Sequence, residues 1–202
     1  ILEKIALADE IMKLYAKTEK FEMVHLWSIK KKELEFEDSG KSILEKIALA
    51  DEIMKLYAKT EKFEMAHLWI IKKEELEFED SEKSIQEKNT LADEIMNFYM
   101  KTEKYKMAQL WSIKKEELEF EDSEKSIQEK NTLADKIMNF YIKTQKYKMV
   151  HLWSIKKKEL EFKDSEKSIL EKIALADEIM ELYAQINNFD KAHLWSIKKK
   201  EL

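Results

Sequence analysis

Apolar residues in this chain recur at the spacing of one helical face, stop at a short polar break, resume at the same spacing, and the double run then returns every 42 residues. Between 43 and 84, Ile43, Ile47, Ala50, Met54 and Tyr57 fall three or four residues apart, with Leu49, Ile53 and Leu56 widening the stripe. That period belongs to an amphipathic helix, and a stripe this wide has to be covered on two sides. The spacing predicts a helix A from about Ile43 to Lys59. Beyond the link Thr60-Glu61-Lys62 it predicts a helix B from about Phe63 to Glu79, with Phe63, Ala66, Trp69 and Leu76 on one face and Leu68, Ile71 and Phe78 beside it.

The breaks carry their own signals. Ser42-Ile43-Leu44-Glu45 is a capping box, in which the serine oxygen accepts from a free backbone N–H and the glutamate reaches back, and it returns at Ser84/Glu87, Ser126/Glu129 and Ser168/Glu171. The link at 60–62 holds no glycine, so the end of helix A is argued from loss of the apolar period. The link Glu79-Asp80-Ser81-Glu82 is acidic. Acidic groups sit badly at a helix C-terminus and well just before the next N-terminus, so a turn there relieves the conflict.

The units are 1–42, 43–84, 85–126, 127–168 and 169–202. A repeat of this length cannot bury its own apolar face and stacks on its neighbours. The expectation is one continuous all-α repeat domain over 1–202, a solenoid of five antiparallel helix pairs. Because 42 is six sevens, a continuous coiled coil is the alternative. In the third unit Ile85, Ala92, Tyr99, Lys106, Ile113 and Phe120 make one passable seam, but Lys88, Ile95, Thr102, Gln109, Glu116 and Ser123 do not make its companion.

Composition narrows the picture. Hydrophobic residues make up 44% and charged ones 39%, with no proline and one glycine, Gly40, which suits helices with polar outer faces. There is no cysteine, hence no disulfide and no thiolate metal site; a reducing compartment fits, with the cytoplasm as default. Every basic residue is lysine, and with a net charge of -5 and no arginine fork the chain is not expected to bind nucleic acid. No apolar run reaches the roughly 18 to 20 residues that cross a bilayer, and Ile1 does not open a signal peptide, so no membrane role is expected. The opening at Ile1, without methionine and without the serine that precedes the other units, reads as an excised piece of a longer array.

Candidate chemistry is sparse. His25, His67, His151 and His193 form a ladder interrupted by Gln109, one per unit, without the paired spacing of a metal site. No glycine-rich phosphate loop and no nucleophile elbow is present. Trp27, Trp69, Trp111, Trp153 and Trp195 share a face with apolar residues and are expected in the interhelical core. No enzyme activity, metal or cofactor is expected.

Tyr57, Phe63 and Ala66 have the spacing of the helix A tyrosine, turn aromatic and helix B alanine of the tetratricopeptide repeat, and Asn188-Phe189-Asp190-Lys191-Ala192 resembles that family's turn. The chain resembles the longer, 42-residue class, similar to the repeats of kinesin light chain and to near-identical 42-residue tetratricopeptide-like repeats. Lys73 departs from the pattern, standing where a small alanine is usual. The resemblance implies a right-handed superhelix whose concave face, lined by helix A, binds peptides or proteins, at positions matching Thr90, Asp93, Asn97, Met100 and Lys101.

Asp93, Asn97 and Lys101 are four residues apart and therefore share a stripe. Copied through the array, Asp9, Asp51, Asp93, Asp135 and Asp177 form one ladder and Lys17, Lys59, Lys101 and Lys143 another, ended by Gln185. Either the two ladders neutralise each other or they grip an extended peptide at Asp51, Thr90, Asp93, Asn97, Lys101, Thr132, Asp135, Asn139 and Lys143. Units three and four share Gln86/Gln128, Asn89/Asn131, Thr90/Thr132, Asn97/Asn139 and Tyr105/Tyr147, an A-A-B-B-A order that recent duplication or selection at a polar centre would each produce. The end units keep core-type residues, Ile5, Met12 and Tyr15 at one end and Trp195 and Ile197 at the other, rather than a polar cap. Weak head-to-tail association of the chain with itself is the expectation from those ends.

Overall fold

The computed structural model describes residues 1 to 202 as ten α-helices and no strand: α1 (Leu2–Lys17), α2 (Phe21–Phe36), α3 (Ile43–Lys59), α4 (Phe63–Glu79), α5 (Ile85–Lys101), α6 (Tyr105–Glu121), α7 (Ile127–Lys143), α8 (Tyr147–Lys163), α9 (Ile169–Gln185) and α10 (Phe189–Lys200). Odd-numbered helices are the A helices and even-numbered ones the B helices. The bounds of α3 and α4 are those the apolar period predicts, and no helix runs through a link, which rules out the coiled coil.

Each break has a local cause. The capping boxes form at Ser42, Ser84, Ser126 and Ser168, both halves closed in every case. The hydroxyl of Ser84 and then its backbone N–H hold the Glu87 carboxyl below the usual carboxylate range. The A helices end in a Schellman turn: the N–H of Lys62 donates to the Tyr57 carbonyl at 3.0 Å and that of Glu61 to Ala58 at 3.1 Å. The turn requires a left-handed residue, and in the absence of glycine Glu19, Glu61, Glu103, Gln145 and Asn187 take it, with φ between 55° and 60°. A residue with a Cβ adopts that region at a cost of about 1 kcal/mol, least for asparagine. The acidic link folds around an aspartate. Asp38, Asp80, Asp122 and Asp164 each accept the N–H two residues on, at 3.0 to 3.1 Å.

The chain divides into two compact units, Ile1–Ala108 and Gln109–Leu202, the division falling inside α6. In the first, α1 packs on α2 and α3 on α4, and the pairs are joined by α2 on α3 and α4 on α5. In the second, α7 packs on α8, α8 on α9 and α9 on α10.

Within each unit the core repeats one recipe, a helix A wedged between the preceding helix B and its own. In the first unit Ala50, Ile53 and Tyr57 lie between Ile29 and the pair Ala66 and Trp69. In the second, Leu133, Ala134, Ile137 and Tyr141 lie between Ile113, Phe120 and Trp153, while Ala176, Ile179 and Tyr183 lie between Ile155 and Trp195. Ile53, Ile95, Ile137 and Ile179 are wholly enclosed; each such side chain contributes about 1.5 to 3 kcal/mol by leaving water. Consecutive B helices touch through a phenylalanine edge-on to the next tryptophan: Phe36 to Trp69 at 4.9 Å, Phe120 to Trp153 at 5.1 Å and Phe162 to Trp195 at 4.8 Å between centroids.

A tyrosine–glutamate bond fastens the same joint. Tyr57 donates to Glu33 at 2.7 Å, Tyr99 to Glu75 at 2.9 Å, Tyr141 to Glu117 and Tyr183 to Glu159 at 2.8 Å, always across to the preceding helix B.

One expectation about the core is corrected. Phe63, placed by its period on the packed face of helix B, is 61% exposed, and Phe21, Tyr105, Tyr147 and Phe189 are exposed with it. Each is the first residue of its helix. A helical side chain leans toward the N-terminus, which at that position carries it past the helix end and out of the interhelical space.

Candidate functional site

Helices α5 and α7 present the polar stripe. Thr90, Asp93, Asn97 and Lys101 are exposed along α5, in the first unit, and Thr132, Asp135, Asn139 and Lys143 are exposed along α7, in the second; Met100 is exposed and Asp51 on α3 half-buried. The hydroxyls of Thr90 and Thr132 donate to the carbonyls of Gln86 and Gln128 at 3.1 and 3.0 Å, so their donors serve the helix itself.

The aspartates turn out to be tied to helix B. Lys31 donates to Asp9 at 2.7 Å, Lys73 to Asp51 at 2.8 Å, Lys157 to Asp135 at 2.7 Å and Lys199 to Asp177 at 2.6 Å, each within one hairpin. Asp93 is also engaged. The departure at Lys73 is thereby explained: a long apolar stem lies along the hairpin and its ammonium reaches the aspartate of the facing helix. Bonds from Lys73 and then Lys55 hold the Asp51 carboxyl below its ordinary range, and the bond to Asp51 raises the Lys73 ammonium. These pairs are partly solvated and contribute about 0 to 1 kcal/mol each. The neutralising partner of the aspartate ladder is this helix B lysine.

What the fold leaves uncommitted on the stripe is the C-terminal half of each A helix. The amides of Asn97 and Asn139 and the ammonium groups of Lys101 and Lys143 stand in solvent on the last turns of α5 and α7. An exposed amide can both donate to and accept from a peptide backbone, and an ammonium four residues on adds a cation beside it.

At the ends, Ile5, Met12 and Tyr15 are half-buried. Ile11 on the same helix is likewise half-buried, whereas Ile53, Ile95, Ile137 and Ile179, its counterparts, are fully enclosed. Trp195 is buried, at 6% exposure, edge-on to Phe162 and donating its indole N–H to Glu159 at 3.3 Å. Ile197 is 42% exposed while Ile29, Ile71, Ile113 and Ile155 at the same place lie between 2% and 7%.

No three of the histidine, aspartate and glutamate side chains converge in a way that could hold a metal ion, and no helix is long and apolar enough to cross a membrane. Comparison with models of known protein families gives no match, and comparison with curated proteins gives none. The helical repeat architecture, consecutive packed pairs of helices, is established by the fold itself.

Proposed function

We propose that the chain is a non-enzymatic scaffold of the 42-residue tetratricopeptide-like class that binds a protein or peptide along the A helices. The reading is supported by one contrast on α5 and α7. Glu87 and Glu129 are used in capping, Thr90 and Thr132 in bonds to their own backbone and Asp135 in a hairpin ion pair, whereas the exposed Asn97, Lys101, Asn139 and Lys143 are used in none of these ways. A backbone-reading amide beside a lysine suits an extended segment carrying carboxylates. Selection from a random-peptide display library on the 202-residue chain supplies a ligand. The reading expects the Asn97→Ala/Asn139→Ala variant to lose at least about tenfold in affinity, and binding to weaken with salt. Unchanged affinity, or contacts confined to the B helices, overturns it.

A second reading is favoured by Ile197. In the earlier repeats its counterpart is covered by the next helix A, and at α10 it borders a groove of about 350 Å³ lined by Tyr183, Leu194, Trp195 and Glu201 among others. Glu201 stands where Glu159 accepts from Tyr183, so the groove fits the helix A face of another such repeat, with Tyr15 as its phenol. Sedimentation of this chain at rising concentration is expected to show weak association that Ile197→Lys abolishes. A strict monomer into the high micromolar range contradicts it.

A further inference from the structure

The joint between a helix B and the next helix A holds, at one repeated place, a pair of long charged side chains. Lys32 on α2 pairs with Glu52 on α3, and Lys158 on α8 pairs with Glu178 on α9. Between α6 and α7 the signs are exchanged but still opposite, Glu116 against Lys136 at 3.9 Å. The remaining joint, α4 to α5, carries Glu74 at the first position and Glu94 at the second, two like charges where the other three joints have opposite ones.

Glu74 has no way out of this conflict by hydrogen bonding, for its Oε2 is buried with no partner. The charged groups around it are Glu94 from α5 and Lys73, Glu75 and Glu77 from its own helix. The Lys73 ammonium is shared, since it is bonded to Asp51 of α3. Glu75 is occupied with the phenol of Tyr99.

We propose that this pair makes the joint between the second and third repeats a pH-responsive element, closed when Glu74 is protonated and loosened when it is ionised against Glu94. Burial first, and then the charge of Glu94, push the Glu74 carboxyl up to about 7. The sign follows from linkage. Between about 4.5 and about 7 the folded chain holds a proton that the unfolded chain has released, so the contribution of Glu74 to stability is largest below that window and is lost as pH rises through it. At the α6–α7 joint Glu116 also has a buried Oε2 without a partner and is raised by burial, but the charge facing it is Lys136, which favours its ionised form; at the other two joints Lys32 and Lys158 stand in place of the glutamate. The element is independent of what the scaffold binds.

The test uses the whole 202-residue chain with carbon-13-labelled glutamate, and the variants Glu74→Gln, Glu74→Lys and Glu94→Lys. The Glu74 side-chain carboxyl resonance, assigned by its absence in Glu74→Gln, is expected to titrate with a midpoint between pH 6 and 7.5, about two units above a solvated glutamate. Glu94→Lys, which copies the sign arrangement of Glu116 and Lys136, is expected to bring that midpoint down by at least one unit. The urea midpoint of the parent chain is expected to fall from pH 5 to pH 8 relative to that of Glu74→Gln, and Glu74→Lys, which copies Lys32 and Lys158, is expected to remove the fall. A Glu74 midpoint below pH 5, a midpoint unmoved by Glu94→Lys, or parallel pH profiles for the parent and Glu74→Gln each overturns the proposal.

Discussion

Removing the hydroxyl of Tyr99 isolates the polar fastening of one joint. Tyr99→Phe keeps the ring, and with it the apolar burial, and deletes only the bond to Glu75 at 2.9 Å. A hydrogen bond to a charged group contributes about 1.5 to 3 kcal/mol net. Glu75 is half-buried and recovers part of its hydration when the phenol leaves, which places the expected loss at the lower end, about 1.5 kcal/mol. Tyr141→Phe, which strips the bond to Glu117, is expected to lose a similar amount in the other unit, and the two losses to add, since the joints share no partner. Tyr15→Phe is the internal control. It has the same ring and the same place in its repeat but no helix B before it, so its loss is expected within about 0.5 kcal/mol.

Urea denaturation followed by circular dichroism and by tryptophan fluorescence gives the differences from the shifts in midpoint. The bond also has a pH signature. Burial, and then the bond to Glu75, raise the Tyr99 phenol to about 12, from an ordinary 10. Between those values the folded chain keeps a proton the unfolded chain has lost, so stability is expected to fall with rising pH across that window, and less steeply in Tyr99→Phe. If Tyr99→Phe costs no more than Tyr15→Phe, the phenol–carboxylate bond is not what fastens successive repeats.

Two other expectations concern the turns and the core. Copying the fifth repeat's turn into the second, Glu61→Asn with Lys62→Asn, supplies a residue that tolerates φ near 57° and an N-cap such as Asn188, which accepts from the N–H of Lys191 at 3.3 Å; the expected gain is about 1 to 2 kcal/mol, read from the same urea midpoints, and a loss would contradict the turn analysis. Ile137→Ala, at a position wholly enclosed, is expected to cost about 2 to 5 kcal/mol, whereas Ile11→Ala, on a helix covered from one side only, is expected to cost clearly less.

What the residues announce in advance is whatever is local. The bounds of α3 and α4 follow from the apolar period, and the start of each later A helix from a serine and glutamate three residues apart. What they conceal depends on the neighbour. Lys73 breaks the small-residue pattern of a close hairpin until its ammonium is seen on Asp51, a partner 22 residues away. Phe63 obeys the helical period yet lies outside the core, because periodicity reports angle around a helix and not distance from its end. The left-handed Glu61 is invisible without a glycine to mark it. The candidate stripe was legible as a spacing on α5 and α7. That Asp135 is tied to helix B while Asn97 and Asn139 are left to solvent needed the packed hairpin.

The five tryptophans test the central claim, that each repeat is closed by the one before it. Trp69, Trp111, Trp153 and Trp195 lie between 2% and 6% exposed, and Trp27, in the first repeat and with no preceding phenylalanine, is only half-buried. Fluorine NMR of the chain labelled with 5-fluorotryptophan, compared in light and heavy water, reads exposure residue by residue. Four resonances are expected to show almost no solvent isotope shift and one, assigned to Trp27 by Trp27→Phe, a clear shift. Five equal shifts, as a uniform coiled coil or five independent hairpins would give, would contradict it.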